Sequence, residues 1–233
     1  GDGCLMEGIS HEALSLAGHL KLKNLVMLFD NNSISIDGPT SLAVSDNFKK
    51  RFNSYGWDFI EIDGHNEGQI IKAFKKAQKT KRPTTISCKT TIGYGSPNKS
   101  GTASAHGNPL GKDETILVRK KLKWDHKPFI IPEKILKEWR EIGNKGSKKE
   151  IKWEKAYNKK KSLIEETFSY NFKKIFEIEK QNIIKNPEPI ATRKSSEKII
   201  MNLVEKNDAI IGGSADLSGS NNTKTKNHKI IKP

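Results

Sequence analysis

The chain has 233 residues and a formal net charge of +15, and 34% of its residues are hydrophobic and 30% charged. This composition is typical of a soluble globular protein and excludes collagen-like, mucin-like and disulfide-scaffold classes. Its apolar runs are too short to cross a bilayer, and Cys4 and Cys88 cannot form a disulfide framework, so we expect a cytoplasmic protein without a membrane partner.

The first part of the chain alternates between helical and strand patterns. In 5–20, for example, apolar residues recur every three or four positions, which favours a helix. Strands and helices that alternate through short connections predict an α/β fold with a doubly wound parallel sheet. Ligands bind such sheets at the carboxyl ends of the strands. The predicted helices are 5–20, 45–55 and 67–79, and the predicted strands are 25–30, 57–63 and 84–89.

The rest of the chain predicts a loop, a helical region and a second domain. Residues 91–111 are rich in Gly, Ser, Pro and Asn, and a loop this long inside a domain is usually functional. Residues 112–182 are predicted to be mostly helical. The composition changes near 186–189, after which a helix at 195–205 and a strand at 208–211 are predicted. Because the chain starts with Gly-Asp-Gly and the second domain looks incomplete, we expect an internal piece of a longer protein.

More than half of the positive charge lies in residues 111–186, which hold 21 Lys/Arg against 12 Asp/Glu. The lysines there alternate with glutamates and apolar residues at helical spacing, as expected for a solvated helical face. The stretch has no motif that lines a basic groove with aromatic residues for single-stranded nucleic acid. We therefore expect no nucleic-acid partner.

Two short polar motifs are predicted to meet at one edge of the sheet. Asp2 lies in a Gly-flanked turn before a helix, where backbone amides and the helix dipole favour an anion such as diphosphate. Asn31 and Asn32 follow the next strand, and in a parallel sheet both turns lie at the same edge. A carboxylate and an amide carbonyl that converge there are suitable ligands for Mg²⁺ or Ca²⁺ bound to a diphosphate.

The spacing of these two motifs resembles that of the thiamine-diphosphate-dependent transketolases, and further segments match in order. The agreement is weakest in 140–185. The resemblance implies the thiamine-diphosphate-binding fold, followed by a helical linker and the start of a second α/β domain. The matching segments are 1–13, 30–38, 55–57, 62–65, 89–99, 104–107, 109–111, 192–194 and 212–217.

The resemblance implies a metal and cofactor site in the first domain. Asp2, Asn32 and the main-chain carbonyl of Ile34 match the ligands of the divalent metal, Mg²⁺ or Ca²⁺ or another divalent cation. Gly3 and Asn32 match residues that contact the diphosphate of thiamine diphosphate. Asp216 matches a second-domain residue that helps to position the cofactor from the neighbouring subunit.

The resemblance also implies catalytic and substrate-binding residues. Glu7 matches the carboxylate at the dimer interface near the cofactors of both subunits, and His106 matches the histidine that reaches both cofactor and substrate. Arg193 and Ser220 match residues that bind the phosphate group of the sugar phosphate. The segment around Ser220 departs from the usual Pro-containing pattern, and Ala103 stands in a region where relatives often carry a second histidine.

The domain order and the reaction follow from the same resemblance. Residues 1–125 correspond to the domain that binds diphosphate and metal, 126–186 to a helical extension and linker, and 187–233 to the start of the pyrimidine-binding domain. Transketolases transfer a two-carbon ketol unit from a ketose phosphate to an aldose phosphate in the pentose phosphate pathway, and they act as homodimers. The glutamate that activates the cofactor is expected outside this chain, so we expect the piece alone to be inactive.

Two alternatives to a transketolase remain at this stage. Another thiamine-diphosphate ketol transferase, such as a dihydroxyacetone synthase or a deoxyxylulose-phosphate synthase, shares part of the pattern. The Ser-Ala-His-Gly segment at 104–107 and Arg193 favour a transketolase. The alternative from a different class is a non-catalytic, basic nucleic-acid-binding protein that uses 111–186, which a salt-titrated gel shift would reveal.

Overall fold

The computed structural model describes residues 1–168, 170–214 and 217–233. They form two compact units, Gly1–Ile130 with Lys232–Pro233 and Ile131–Ile231. Within the described ranges, no helix combines the length and the apolar character that a membrane span requires.

The first unit alternates helices and strands. The strands β1, β4 and β5 and the helix α4 begin and end within two residues of their predicted bounds, so these predictions are confirmed. The helices are α1 (Asp2–Met6), α2 (Gly8–His19), α3 (Phe48–Ser54), α4 (Glu67–Ala77) and α5 (Lys112–Lys121). The strands are β1 (Val26–Asn31), β2 (Ile34–Ser35), β3 (Gly38–Pro39), β4 (Asp58–Asp63) and β5 (Thr84–Lys89).

The strands β1, β5 and β4 form a parallel sheet with β5 in the centre. Thr84 of β5 pairs with Val26 on one side and with Asp58 on the other, so the carboxyl ends of the three strands lie at one edge. The central position buries β5, in which Thr84 and Ile86 have no exposed surface. The predicted α/β fold with a parallel sheet is confirmed.

Helices cover both faces of this sheet, as a doubly wound fold requires. Side chains of a strand alternate between its faces, so Phe59 and Ile60 of β4 point in opposite directions. Phe59 belongs to a core that joins α2 and α3 to the sheet around Phe29, Phe52 and Trp57. Ile60 packs on the other face against a core formed by α4 and the sheet. That second core consists of Ile62, Ala73, Ala77 and Ile86.

The single helix predicted at 5–20 is wrong, because the chain is broken at Glu7 into α1 and α2. Glu7 has an extended backbone, with ψ of 141°, and Gly8 follows it. Nη2 of Arg51 donates a hydrogen bond to the carbonyl oxygen of Leu5 at 3.0 Å. In a continuous helix the amide of Ile9 would satisfy that oxygen. The arginine therefore replaces the lost helical bond and allows α1 to end there.

The second unit is helical in the residues that the structure describes. The predicted helical content of 112–182 and the helix predicted at 195–205 are confirmed. The strand predicted at 208–211 is wrong, since these residues form a turn and an irregular segment. A strand needs a neighbouring strand for its backbone hydrogen bonds, and the described residues of this unit supply none. The helices are α6 (Glu133–Asn158), α7 (Lys161–Phe168), α8 (Lys173–Lys185), α9 (Thr192–Lys206) and α10 (Ser218–Asn221).

Gly18 brings α2 into close contact with the segment that leads into β4. A Cβ atom on Gly18 would lie 1.7 Å from the carbonyl oxygen of Tyr55, and backbone cannot move aside as a flexible side chain can. We expect Gly18→Ala to lower the free energy of unfolding by about 1–3 kcal/mol, measured by urea denaturation. The control is Gly143→Ala in α6, where an added Cβ meets no atom within 4 Å. This variant should gain about 0.5–1 kcal/mol from its higher helix propensity, and an equal loss in both variants would contradict the packing argument.

Candidate functional site

A cleft of about 730 Å³ opens in the first unit at the carboxyl ends of β1 and β5. Its walls come from α1, from the turn that follows β1 and from the 91–111 loop that follows β5. Parallel sheets bind ligands at this edge. Six of the residues assigned from the sequence line the cleft together: Asp2, Gly3, Glu7, Asn32, Ile34 and His106.

Asp2 places a buried carboxyl group against this cleft. The residue is only 3% exposed, and its Oδ2 atom has no hydrogen-bond partner among the described residues. Burial raises the pKa of Asp2 above its ordinary value, and a backbone hydrogen bond from Asn32 offsets part of this effect. A buried carboxylate oxygen without a partner is costly unless a cation or a donor completes it.

The turn after β1 directs Asn32 toward the same cleft. Oδ1 of Asn32 accepts a hydrogen bond from the backbone amide of Ile34 at 3.0 Å, and Ser33 between them has a left-handed backbone with φ of 61°. Nδ2 of Asn32 lies 3.5 Å from a carboxylate oxygen of Asp30. Because an amide oxygen has two lone pairs, Oδ1 keeps one for a further partner. The turn thus fixes the side chain without exhausting its acceptor.

These groups fit a hard divalent cation that carries a diphosphate. A carboxylate oxygen of Asp2 has no hydrogen-bond partner among the described residues, and Asn32 offers an amide oxygen. Both are oxygen ligands of the type that Mg²⁺ and Ca²⁺ prefer. The described residues contain no group of three or more His, Cys, Asp or Glu that could hold a metal, so a Zn²⁺-type ligand set is not present there. A Cβ atom on Gly3 would meet no atom within 4 Å, which leaves room for a ligand beside the start of α1.

The 91–111 loop carries His106 into the cleft wall. The amide of His106 donates to the carbonyl of Ala103 at 2.9 Å and closes a short 3-10 turn. Its Nδ1 atom is buried and has no hydrogen-bond partner in the described part of the chain. The first turn of the loop is held by His65, whose Nε2 accepts the amide of Thr91 at 3.0 Å and whose ring stacks on Tyr94.

Glu114 holds the middle of this loop from the first turn of α5. Its carboxylate accepts hydrogen bonds from the hydroxyl of Ser96, from the amide of Asn98 at 2.9 Å and from Nδ2 of Asn98 at 2.8 Å. The hydrogen bond from Ser96, followed by those from Asn98, lowers the pKa of Glu114 from 4.5 to about 2. The carboxyl group of Glu114 is therefore ionised in the folded chain at neutral and mildly acidic pH.

The pKa of Glu114 predicts a stability difference that depends on pH. Since the folded pKa lies below the unfolded one, the ionised carboxyl stabilises the fold fully above about pH 4.5 and loses this effect as the pH falls toward about 2. We expect the difference in unfolding free energy between the unchanged chain and Glu114→Gln to narrow from about pH 7 to about pH 3. Urea denaturation at both pH values measures it. A difference that is constant or larger in acid would contradict the assignment.

Comparison with known proteins bears directly on this cleft. The family described as "Transketolase, thiamine diphosphate binding domain" matches residues 1–177, which include all six cleft residues named above. The chain belongs to the transketolase family. The transketolase of Buchnera aphidicola subsp. Schizaphis graminum is 45% identical over an alignment of 236 positions. The alignment covers 96% of this chain and 35% of that protein.

Solved transketolases share the fold of the chain. The transketolase of Campylobacter jejuni superposes with a TM-score of 0.82 at 35% identity, covering 94% of this chain and 34% of that one. A transketolase of Pichia stipitis in complex with sedoheptulose-7-phosphate superposes with a TM-score of 0.79 at 35% identity, covering 97% and 35%. The chain therefore spans about a third of the length of the transketolases that it matches.

The other residues assigned from the sequence lie in the second unit or outside the described residues. Arg193 lies exposed in the first turn of α9, and Ser220 lies exposed in α10, both in the second unit. Asp216 falls outside the residues that the structure describes. The roles that the transketolase resemblance gives to these three residues stay predictions.

Sequence reasoning missed two kinds of residue at this transketolase site. Asp30 lines the cleft and directly precedes Asn31, so its place at the end of an apolar strand was a usable signal. Glu114 and Lys99 support the loop but do not line the cleft. Their contacts join positions up to 18 residues apart, and no local pattern reveals them.

Proposed function

We propose that the chain supplies the diphosphate- and metal-binding part of a transketolase, an enzyme that transfers a two-carbon ketol unit from a ketose phosphate to an aldose phosphate. The observation that carries the proposal is the buried carboxylate oxygen of Asp2, which has no hydrogen-bond partner among the described residues and lies in a cleft shared with Asn32 and His106. The match of residues 1–177 to the thiamine-diphosphate-binding domain of the family supports it. The reaction belongs to the pentose phosphate pathway.

Asp2, Asn32 and the carbonyl oxygen of Ile34 would hold the divalent metal, Mg²⁺ or a similar cation, and through it the diphosphate. Gly3 would let the diphosphate approach the start of α1, because no side chain fills that space. When bound, thiamine diphosphate supplies the carbon centre that carries the ketol unit. The protein's share at this end is to fix the anion and neutralise its charge.

His106 and Glu7 would act on the reacting groups. The imidazole of His106 lines the same cleft as the metal ligands, and its ring nitrogens can donate or accept hydrogen bonds there. Glu7 lines the cleft at the break between α1 and α2, where it is exposed and able to meet a second subunit. We place the whole enzyme as a homodimer in the cytoplasm, and Asp216 would help to position the cofactor of the neighbouring subunit.

The substrate phosphate would be bound by Arg193 and Ser220 of the second unit. Arg suits this task because its charge is permanent and its donors are bidentate. Residues 1–125 would form the diphosphate domain, 126–186 the linker, and 187–233 the start of the pyrimidine domain. Sugar phosphates as substrates are consistent with the sedoheptulose-7-phosphate complex of the Pichia stipitis relative.

Isothermal calorimetry tests the diphosphate site on the 233-residue chain. Thiamine diphosphate should bind in the presence of Mg²⁺, and either chelation of the metal or replacement of the ligand by thiamine should abolish the heat. Equal binding of thiamine and thiamine diphosphate would contradict a metal–diphosphate site. An assay with xylulose 5-phosphate and ribose 5-phosphate then tests ketol transfer, which we expect to be absent from this chain alone.

A further inference from the structure

The 91–111 loop owes its shape to a set of hydrogen bonds that begins at a carboxylate outside the loop. The loop supplies one wall of the cleft through Ile92, Ala105 and His106. Glu114, in the first turn of α5, is 8% exposed although it is charged. A buried charge of this kind is retained only where it is fully hydrogen-bonded. We propose that Glu114 is a positioning residue that holds this loop, and with it His106, in the arrangement that forms the cleft.

Glu114 contacts the loop at the turn formed by residues 96–99. Oε1 accepts the hydroxyl of Ser96, which is itself 1% exposed, and the amide of Asn98 at 2.9 Å. Oε2 accepts Nδ2 of Asn98 at 2.8 Å. Three donors therefore converge on one carboxylate, and hydrogen bonds to an ionised acceptor are about twice as strong as neutral ones.

Two further hydrogen bonds connect this turn to the far end of the loop. The hydroxyl oxygen of Ser96 also accepts the amide of Lys99 at 3.0 Å, so the same turn fixes Lys99. Nζ of Lys99 donates to the carbonyl oxygen of Leu110 at 2.9 Å. These bonds tie the two ends of the segment 99–110 together, and His106 lies between them. The position of the histidine backbone thus depends on a carboxylate eight residues further along the chain.

An ionised carboxylate is the group that fits this position. All three hydrogen bonds that the described residues make with the Glu114 carboxylate are donated to it, and a carboxylate has only acceptors. Glutamine keeps the size and shape but turns one oxygen into an NH₂ group. When its oxygen faces Ser96 and the amide of Asn98, its NH₂ group requires the side-chain amide of Asn98 to turn over and present Oδ1. The acceptor is then neutral, so the hydrogen bonds lose the strength that an ionised acceptor gives them.

Amide hydrogen exchange on the 233-residue chain tests the proposal without any cofactor. We expect Glu114→Gln to speed exchange at Lys99, Gly101 and His106 by about tenfold or more, while the amides of β5 keep their rates. The ring signals of His106, assigned with His106→Gln, should shift in the same variant. Asp113→Asn is the matched control, since it removes the same charge from an exposed neighbour in the same helical turn and should change neither readout.

The double variant Asn98→Asp with Glu114→Gln separates positioning from a general loss of stability. The carboxylate at position 98 accepts from the new NH₂ group, so the pair again includes a hydrogen bond to an ionised acceptor, and loop exchange should return to within about threefold of the unchanged chain. If Glu114→Gln alone does not fold, the exchange rates of the double variant are compared directly with those of the unchanged chain. Unchanged exchange in Glu114→Gln, or no recovery in the double variant, would overturn the proposal.

The inference rests on the proposed function only in the role that it gives to His106. The exchange measurement needs no cofactor and does not depend on that function. With Mg²⁺ present, Glu114→Gln should also weaken thiamine diphosphate binding by about tenfold in calorimetry. If the unchanged chain binds no thiamine diphosphate while Glu114→Gln still frees the loop, the proposed function fails and the positioning role stands. If the chain binds the cofactor and the loop is unaffected by the variant, the positioning role fails alone.

Discussion

Replacing Asp2 by Asn is expected to abolish Mg²⁺-dependent binding of thiamine diphosphate and, without metal, to raise the melting temperature at neutral pH. The carboxyl group is buried and its Oδ2 atom has no partner among the described residues. Its folded pKa lies above the ordinary value, so ionisation destabilises the fold as the pH rises through that pKa. The neutral amide removes this penalty, and it also removes the only charged ligand that we assign to the metal.

Two measurements on this variant test the loss of the metal ligand. Calorimetry should show a loss of affinity of at least about a hundredfold, because even changes to groups that support metal ligands lower affinity about 10–100-fold. Thermal denaturation should show no rise in melting temperature when Mg²⁺ and thiamine diphosphate are added. Asp125→Asn, at an exposed position of the same unit, is the control and should behave as the unchanged chain. Retained binding in Asp2→Asn would remove Asp2 from the metal site.

Trp57→Ala is expected to be the most destabilising single change in the first unit, at about 3–5 kcal/mol. The side chain is 2% exposed and packs edge-on against Phe52, and its Nε1 donates to the carbonyl of Leu14 at 2.8 Å. The variant therefore creates a cavity and removes the indole hydrogen bond to the carbonyl of Leu14. Urea denaturation measures the loss.

Two further variants divide this effect into its parts. Trp57→Phe keeps most of the apolar volume but removes the N–H donor, so we expect a loss of about 1–3 kcal/mol. Trp139→Ala in α6 removes an equally large side chain that is 69% exposed, and it should change stability by less than about 0.5 kcal/mol. Similar losses at Trp57 and Trp139 would show that the first unit has no core at this point.

The local elements and the centre of the site could be predicted because each depends on a short stretch of sequence. The observed bounds of the strand β5 are the predicted ones, and its β-branched residues Thr84, Thr85 and Ile86 favour a strand without information from distant residues. The meeting of Asp2 with Asn32 followed from the rule that turns after parallel strands share an edge. Asn32 follows β1 as that rule requires, whereas Asp2 begins α1, and both residues line one cleft.

The features that sequence could not predict depend on contacts between distant residues. The break at Glu7 interrupts an unbroken helical pattern. It is stabilised by the hydrogen bond from Arg51 to the carbonyl oxygen of Leu5, two residues that are 46 positions apart in the chain. The strand predicted at 208–211 had the right composition, but composition does not supply a neighbouring strand. The support of the 91–111 loop by Glu114 likewise arises only once the chain is folded.

The unequal placement of the tryptophans makes the chain its own optical probe. Trp57, 2% exposed in the first unit, should emit at short wavelength and resist a water-soluble quencher. Trp139 and Trp153, 69% and 61% exposed in the second unit, should emit at long wavelength and be quenched readily. Trp124, 36% exposed, also lies in the first unit. The short-wavelength emission that resists the quencher therefore reports on the sheet and its cores, so that a fluorescence titration follows the unfolding of the first unit around Trp57.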